Sequence, residues 1–354
     1  MASLIKVMVV DDSAFMRKVI SEILSEEDDI EVIAKARNGV DALKKIKKEK
    51  PDVITLDVEM PKMNGIELLE NLMEKHPLPV IMLSKLTSEE SKIAVKALQL
   101  GAFDFLAKPS GSISLDIEIV KEELLTKVRL AAKASIQKKV KKQNVEDEIK
   151  PRDKVSKRRK KANMIKGSKG KQLVVIGAST GGPKALKEVI TLLPKNFSAP
   201  ILIVQHMPPG FTTSLADRLD KRSAITVKEA ETGDRLKAGT ALLAPGDYHM
   251  LLNSNKIELS QENKLHNVRP SVDKTLESVV KNYDGNIIGV LLTGMGSDGA
   301  KGLELVKEFG GQTIAQDKET SVVYGMPKAA VELGVVDQVL PINKIAKEIV
   351  TVIS

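Results

Sequence analysis

Two spacings of apolar residues take turns along this chain. Short runs of consecutive apolar positions fall at Lys6–Val10, Glu31–Ala36, Asp52–Asp57, Pro79–Leu83 and Asp104–Ala107. Between them the apolar residues recur every three or four positions, as in Ala14–Leu24, Ile66–His76 and around Glu118–Ala134. The first spacing predicts strands buried on both faces, and the second predicts amphipathic helices. Strand and helix in alternation predict a parallel sheet covered on both sides. The alternation resumes after Lys171, with strands expected at Leu173–Ile176, Ile201–Gln205, Ala241–Ala244, Ile287–Leu292, Gln312–Ala315 and Val335–Val339. From about residue 225 to 260 the pattern changes to short β runs with turn signals at Pro245-Gly246-Asp247 and Asn253-Ser254-Asn255, which predicts a β-hairpin insertion. The fold class expected is α/β, with two doubly wound parallel-sheet domains.

A length of 354 residues also argues for two domains. The boundaries expected are 1–125 for the first, 126–170 for a linker and 171–354 for the second. The net charge of +8 changes meaning once it is located. Residues 131–172 hold 16 Lys/Arg and 4 Asp/Glu, a net of +12, which leaves −4 for the rest. Runs such as Lys157-Arg158-Arg159-Lys160-Lys161, with few large apolar residues, predict a solvated tether. Without aromatic interleaving or a helix-turn-helix pattern, the linker does not read as a nucleic-acid binder. There is no cysteine, no run of membrane-spanning length and no signal-like N-terminus, so a cytoplasmic location without membrane insertion is expected.

The first domain gathers acidic residues at strand ends. Asp11 and Asp12 follow the first strand, and Asp57 ends the third. In a doubly wound sheet these ends are neighbours. Three crowded carboxylates raise one another's pKa unless a cation answers them, and oxygen ligands favour a hard ion such as Mg²⁺. Ser84 and Lys108 end the fourth and fifth strands and bring a hydroxyl and a cation to the same edge. Together these groups suit phosphoryl transfer onto a carboxylate.

The second domain opens with Leu173-Val-Val-Ile-Gly-Ala-Ser179-Thr-Gly-Gly-Pro183, a strand, a tight turn and a helix start. Gly177-Ala-Ser179-Thr-Gly181 fits the G-x-S-x-G pattern that exposes a nucleophile. The same glycines suit a dinucleotide phosphate, but that use calls for an acidic residue after the next strand, where this chain has His206. A serine hydroxyl needs a base, and the base needs a carboxylate to hold its tautomer. Of four histidines only His206 ends a buried strand beside the serine strand. Asp298 is the acid candidate, after Leu-Leu-Thr-Gly-Met-Gly-Ser at the end of another buried run. Helix N-capping is a second role open to it. Backbone N–H groups in the 293–296 turn, or Thr180, are the candidates for stabilising a tetrahedral oxyanion.

The first domain resembles the receiver domain of response regulators, which is flavodoxin-like. The resemblance implies Asp57 as phosphoacceptor, and Mg²⁺ on Asp12, Asp57 and the backbone carbonyl of Glu59, with Asp11 assisting. It also implies Ser84, Phe105 and Lys108 as switch residues, with a cis bond at Lys108-Pro109. The segments around Ser179, Gln205-His206-Met207 and Asp298, together with Pro245-Gly-Asp-Tyr-His-Met250 and Arg269-Pro-Ser-Val-Asp273, resemble the chemotaxis receptor methylesterases, whose effector is Rossmann-like. That likeness implies a Ser179, His206, Asp298 triad, with the Met295 backbone N–H and Thr180 at the oxyanion. It further implies demethylation and deamidation of methyl-accepting chemotaxis receptors under a chemotaxis histidine kinase, with no cofactor in the catalytic domain. Two other classes predict different behaviour. A DNA-binding regulator would show salt-dependent duplex binding, and a nucleotide-binding domain would retain its cofactor and tolerate loss of His206.

Overall fold

The computed structural model describes residues 4–85, 87–108, 120–134 and 171–353. The basic segment 135–170 and Pro109, to which the tether and cis-proline expectations apply, lie outside the described residues. The first domain runs β1 (Ile5–Val10), α1 (Ala14–Ser25), β2 (Ile30–Ala36), α2 (Gly39–Glu49), β3 (Val53–Asp57), α3 (Gly65–Lys75), β4 (Val80–Ser84), α4 (Ser88–Leu100), β5 (Asp104–Ala107) and α5 (120–134). Its strands pair in parallel in the order β2-β1-β3-β4-β5. β3 and β4 are buried along their whole length, as a two-face-covered sheet requires. Polar side chains set the helix starts: Ser13, Asn38, Asn64 and Thr87 each accept a first-turn N–H.

The boundary expected at residue 125 falls inside α5. Leu124, Val128, Ala131 and Ala132 are buried in one cluster with β1 and α1. Arg129 fastens the helix to Glu27 and Asp29, at 2.6 Å each. Residues 126–134 therefore pack as part of the first domain.

The second domain runs β6 (Gln172–Ala178), α6 (Gly182–Ile190), β7 (Ile201–Gln205), α7 (Phe211–Asp220), β8 (Thr226–Glu229), β9 (Thr240–Leu243), β10 (His249–Asn253), β11 (Lys256–Ser260), α8 (Val272–Asn282), β12 (Asn286–Leu291), α9 (Ala300–Glu308), β13 (Gln312–Gln316), α10 (Met326–Glu332), β14 (Gln338–Leu340) and α11 (Ile342–Ile353). Seven strands form a parallel sheet in the order β14-β13-β12-β6-β7-β9-β8. Two expectations need correction. The hairpin is β10 with β11 alone, because β8 joins the main sheet beside β9. The strand expected at 335–339 begins at Gln338, because Val335 is buried from the turn after α10 and needs no ladder.

The domains meet through α4 and β5 on one side and α6 and α7 on the other. The apolar cluster is continuous across the junction, holding Ala94, Val95, Leu98 and Phe105 together with Ala185, Phe211 and Leu215. Phe105 stacks on Phe211, ring centroids 4.5 Å apart. Arg218 donates to Gln99 at 3.1 Å, and the Ser91 and Ser214 hydroxyls meet at 3.2 Å. Among the described residues no helix is long and apolar enough to cross a membrane.

Candidate functional sites

Asp11, Asp12 and Asp57 converge at the carboxyl edge of the first sheet, with one oxygen of each within 4.8 Å of the others. Lys108, beyond the end of β5, places Nζ 2.7 Å from Asp57 and 2.9 Å from Asp11. One ammonium among three carboxylates leaves a net charge near −2. Burial pushes the Asp57 carboxyl up to about 6; Lys108 opposes this, while Asp11 and Asp12 add to it. Asp11 Oδ2 is buried, with its Lys108 ion pair but no hydrogen bond of good geometry. An all-oxygen site short of positive charge fits a divalent cation such as Mg²⁺. Glu59 lines an open cleft of about 870 Å³ beside Asp12, together with Met60, Asn64, Glu67 and Lys96. Ser84 is fully buried, and its hydroxyl is held by Lys85 O at 3.0 Å and Glu90 Oε2 at 3.3 Å. Phe105 points into the domain junction.

In the second domain β6 and β7 are neighbours, with Ala178 paired to Gln205, so Ser179 and His206 leave the sheet side by side. The His206 N–H bonds Ala178 O at 3.1 Å. His206 Nε2 lies 2.7 Å from Asp298 Oδ2. An ionised carboxylate only accepts, so Nε2 carries the proton and Nδ1 keeps the lone pair. Among the described residues the Ser179 hydroxyl makes no hydrogen bond to the ring; in unliganded enzymes such bonds are often long. Thr180 donates its hydroxyl to Asp104 of the first domain at 2.7 Å. Met295 sits exposed in the turn after Gly294, and that turn is pinned by Gly294 N to Val323 O at 3.0 Å. Glycine is required at 294: a Cβ there would come 2.8 Å from Ser179 Cβ.

Asp298 is 2 % exposed and sits over the N-terminus of α8. It accepts from Ser271 Oγ at 2.8 Å, Val272 N at 2.7 Å and Asp273 N at 3.1 Å, besides His206. Burial works against its ionisation, but the His206 bond and charge and the two amides outweigh burial and hold the carboxyl below its ordinary range. Asp298 is thus an acceptor at the start of α8 and a partner of His206 at once.

Several residues of the quoted motifs have contacts at this site that the sequence did not assign to them. Gln205 Nε2 donates to Ser179 O at 3.0 Å and to His206 O at 3.2 Å, tying the two loops together. Gly182 leaves room for it, since a Cβ there would sit 1.9 Å from Gln205 Oε1. Ser271 receives support from His249, whose Nδ1 accepts the Ser271 N–H at 3.2 Å. Burial lowers the His249 pKa and favours that neutral ring. Asp273 bonds Gly302 N at 2.7 Å and His266 at 3.1 Å. Burial and then the Asp298 charge push Asp273 up. A glutamine closing a buried strand and a serine at a helix N-cap were the available signals.

Folded Asp57 keeps its proton up to about pH 6, against 3.8 for an unperturbed carboxyl. Folding therefore takes up a proton between those values, and stability falls as pH rises through the window. Asp57→Asn is expected to stabilise the Mg²⁺-free chain at pH 7.5 by on the order of 2 kcal/mol, with the gain shrinking below pH 6. Mg²⁺ is expected to raise the Tm of the wild type more than that of the variant. Thermal unfolding at several pH values, with and without Mg²⁺, measures both.

Comparison with known proteins agrees with this geometry in both halves. A profile described as CheB methylesterase matches residues 174–349, and one described as response regulator receiver domain matches residues 7–119. A Symbiobacterium thermophilum protein named protein-glutamate methylesterase/protein-glutamine glutaminase is 48% identical, covering 98% of this chain and 96% of its own length. A Thermotoga maritima protein of the same name is 47% identical, covering 99% and 98%. The crystal structure of the Thermotoga maritima CheB methylesterase catalytic domain aligns at 52% identity and a TM-score of 0.50, over 51% of this chain and 98% of that one. The likeness spans both domains and the join between them, and the chain belongs to the CheB methylesterase family, with a receiver domain preceding the effector.

Proposed function

We propose that this chain is a phosphorylation-controlled serine hydrolase that demethylates glutamate methyl esters, and deamidates glutamines, on the helical cytoplasmic part of chemotaxis receptors. The observation that carries this reading is the 2.7 Å His206–Asp298 bond beside Ser179, at the paired ends of adjacent strands. His206 Nδ1 takes the proton as Ser179 Oγ bonds the ester carbonyl carbon. The charge that develops on the carbonyl oxygen falls to the Met295 N–H and the Thr180 hydroxyl. Collapse breaks the C–O bond to methoxide, and His206 returns the proton, so methanol leaves. Water then attacks the glutamyl-serine ester, His206 again moves the proton, and glutamate and free Ser179 result. With glutamine the leaving group is ammonia. Asp298, ionised and bound on every side, holds the ring and stabilises its protonated form.

The receiver supplies control. A chemotaxis histidine kinase is the phosphodonor class that such a domain accepts from, and Asp57 is the acceptor in this reading. Asp11, Asp12, Asp57 and the Glu59 carbonyl would hold Mg²⁺, whose chemistry is to neutralise phosphoryl charge during transfer. Ser84 and Lys108 would sense the phosphoryl group. In the unphosphorylated arrangement α4 packs on α6 and α7 and β5 reaches Thr180 beside Ser179, which in this reading closes the site to a helical receptor. Such partners place the work of the chain in the cytoplasm.

Methanol release from methylated receptor tests the reading. Ser179→Ala is expected to lower it by about 10⁴-fold or more. Asp298→Asn is expected to lower kcat by about 10³–10⁴-fold, because its amide nitrogen would face a donor and the ring would lose its tautomer. A small phosphodonor is expected to accelerate the wild type and leave Asp57→Asn unchanged. Full activity in Ser179→Ala would end the esterase assignment.

A further inference from the structure

Two consecutive receiver residues touch both catalytic loops. Phe105 stacks on Phe211, which opens the helix following the His206 loop, with the rings inclined by 16°. Asp104 accepts the Thr180 hydroxyl, from the residue after the nucleophile, at 2.7 Å. The aromatic contact is what two apolar faces yield on packing. The carboxylate is different, because burying a charge costs free energy unless specific donors answer it. Asp104 is 6 % exposed and Thr180 is 9 % exposed, so their bond is out of water.

The carboxylate is fixed from the receiver side. Asp104 Oδ1 accepts the Phe105 N–H at 2.8 Å and faces Lys127 Nζ at 3.5 Å. Lys127 is in turn held by Phe105 O and by Glu123 at 2.6 Å. Burial opposes the Lys127 charge, but Asp104 and Glu123 outweigh it and hold the ammonium protonated. Asp104 Oδ2 is left to the effector, where Thr180 supplies its donor.

A threonine hydroxyl has one proton to give. Bonded to a carboxylate, that proton sits in a bond roughly twice as strong as one to a neutral carbonyl. We propose that Asp104 is a positioning residue of the esterase site contributed by the receiver. It withholds the Thr180 hydroxyl from the oxyanion, so the unphosphorylated chain is slowed in its chemistry as well as closed to a large substrate. The proposal rests on the reading of Thr180 as an oxyanion donor, and it adds a mechanism that steric closure does not contain. Control reaches Asp104 along one short strand. Lys108, just past the end of β5, bonds Asp57 at 2.7 Å, so charge added at Asp57 acts on the strand that carries Asp104.

A small aryl acetate separates the two mechanisms, because it is not excluded by bulk. The full chain is assayed without phosphodonor. Asp104→Ala is expected to raise kcat by about tenfold or more with little change in KM, up to the roughly 10²–10³-fold that one oxyanion donor is worth. Asp104→Asn, which keeps the shape and an acceptor oxygen but loses the charge, is expected to give a smaller gain. It also serves if the alanine variant unfolds. The gain from Asp104→Ala is expected to vanish when Thr180→Val is added. A gain that persists in the Thr180→Val background would mean that Asp104 merely fastens the interface, and no gain in either Asp104 variant would mean that closure is purely steric; each overturns the proposal. Thr180→Val as fast as wild type when both are phosphorylated would remove the oxyanion reading itself, and the proposal with it.

Discussion

Both candidate sites depend on a carboxylate taken out of water at the carboxyl edge of a parallel sheet, and the number of donors answering each one separates their behaviour. Asp298 has four: an imidazole, a hydroxyl and two helix-terminal amides. Its charge is held in place, and it anchors the His206 ring. Asp57 has one lysine, shared with Asp11, against two further carboxylates. Its charge is resisted, and the site has a standing demand for positive charge. A satisfied carboxylate makes a fixed part of a machine, whereas an unsatisfied one makes a part that responds to what binds. Strand order puts both where loops diverge and a ligand can enter.

The domain junction links the two sites physically. β5 is the edge strand of the receiver sheet, so its side chains are available to a neighbour without disturbing the sheet itself. The apolar core runs through the junction, so α4 and β5 cannot move without unpacking α6 and α7. α6 follows the Ser179 loop and α7 follows the His206 loop. Movement of the receiver would therefore reach the Ser179 and His206 loops by way of the helices that follow them.

Residues whose place follows from a strand end were legible in the sequence. Buried runs ending in Asp57, Ser179 and His206 announce their position, because a parallel sheet sends every strand end to one edge. Roles set by distant partners were not legible. Gln205 looks like a strand terminus, and only the fold shows its amide joining Ser179 O to His206 O. Ser271 lies 27 residues from Asp298 in the chain, and Asp104 lies 76 residues from Thr180. No periodicity carries such a pairing. β14 was misplaced for a related reason: Val335 is apolar because it packs on the second-domain core from a turn, and burial alone does not distinguish that from a ladder. The boundary expected at 125 cuts α5 short, because Val128, Ala131 and Ala132 still pack inward beyond it.

The strength of the junction sets what kind of switch it can be. The hydrogen bond from Thr180 to a carboxylate contributes about 1.5–3 kcal/mol, and an aromatic pair such as Phe105–Phe211 about 0.5–1.5 kcal/mol beyond its burial. Coupling between sites in proteins is typically about 1–3 kcal/mol. These two contacts are comparable with such coupling, so on the proposed reading a phosphoryl group at Asp57 would weaken the junction rather than abolish the closed form, which the apolar packing also holds. Each 1.4 kcal/mol changes the open population by about tenfold. In the proposed control, a junction several times stronger would stay shut whatever happened at Asp57, and a weaker one would leave the effector open without a signal. The hydrogen bond to the Asp104 carboxylate, set among polar and apolar contacts of the junction, is the kind of bond that, in the proposed control, would keep the balance within reach of one phosphoryl group.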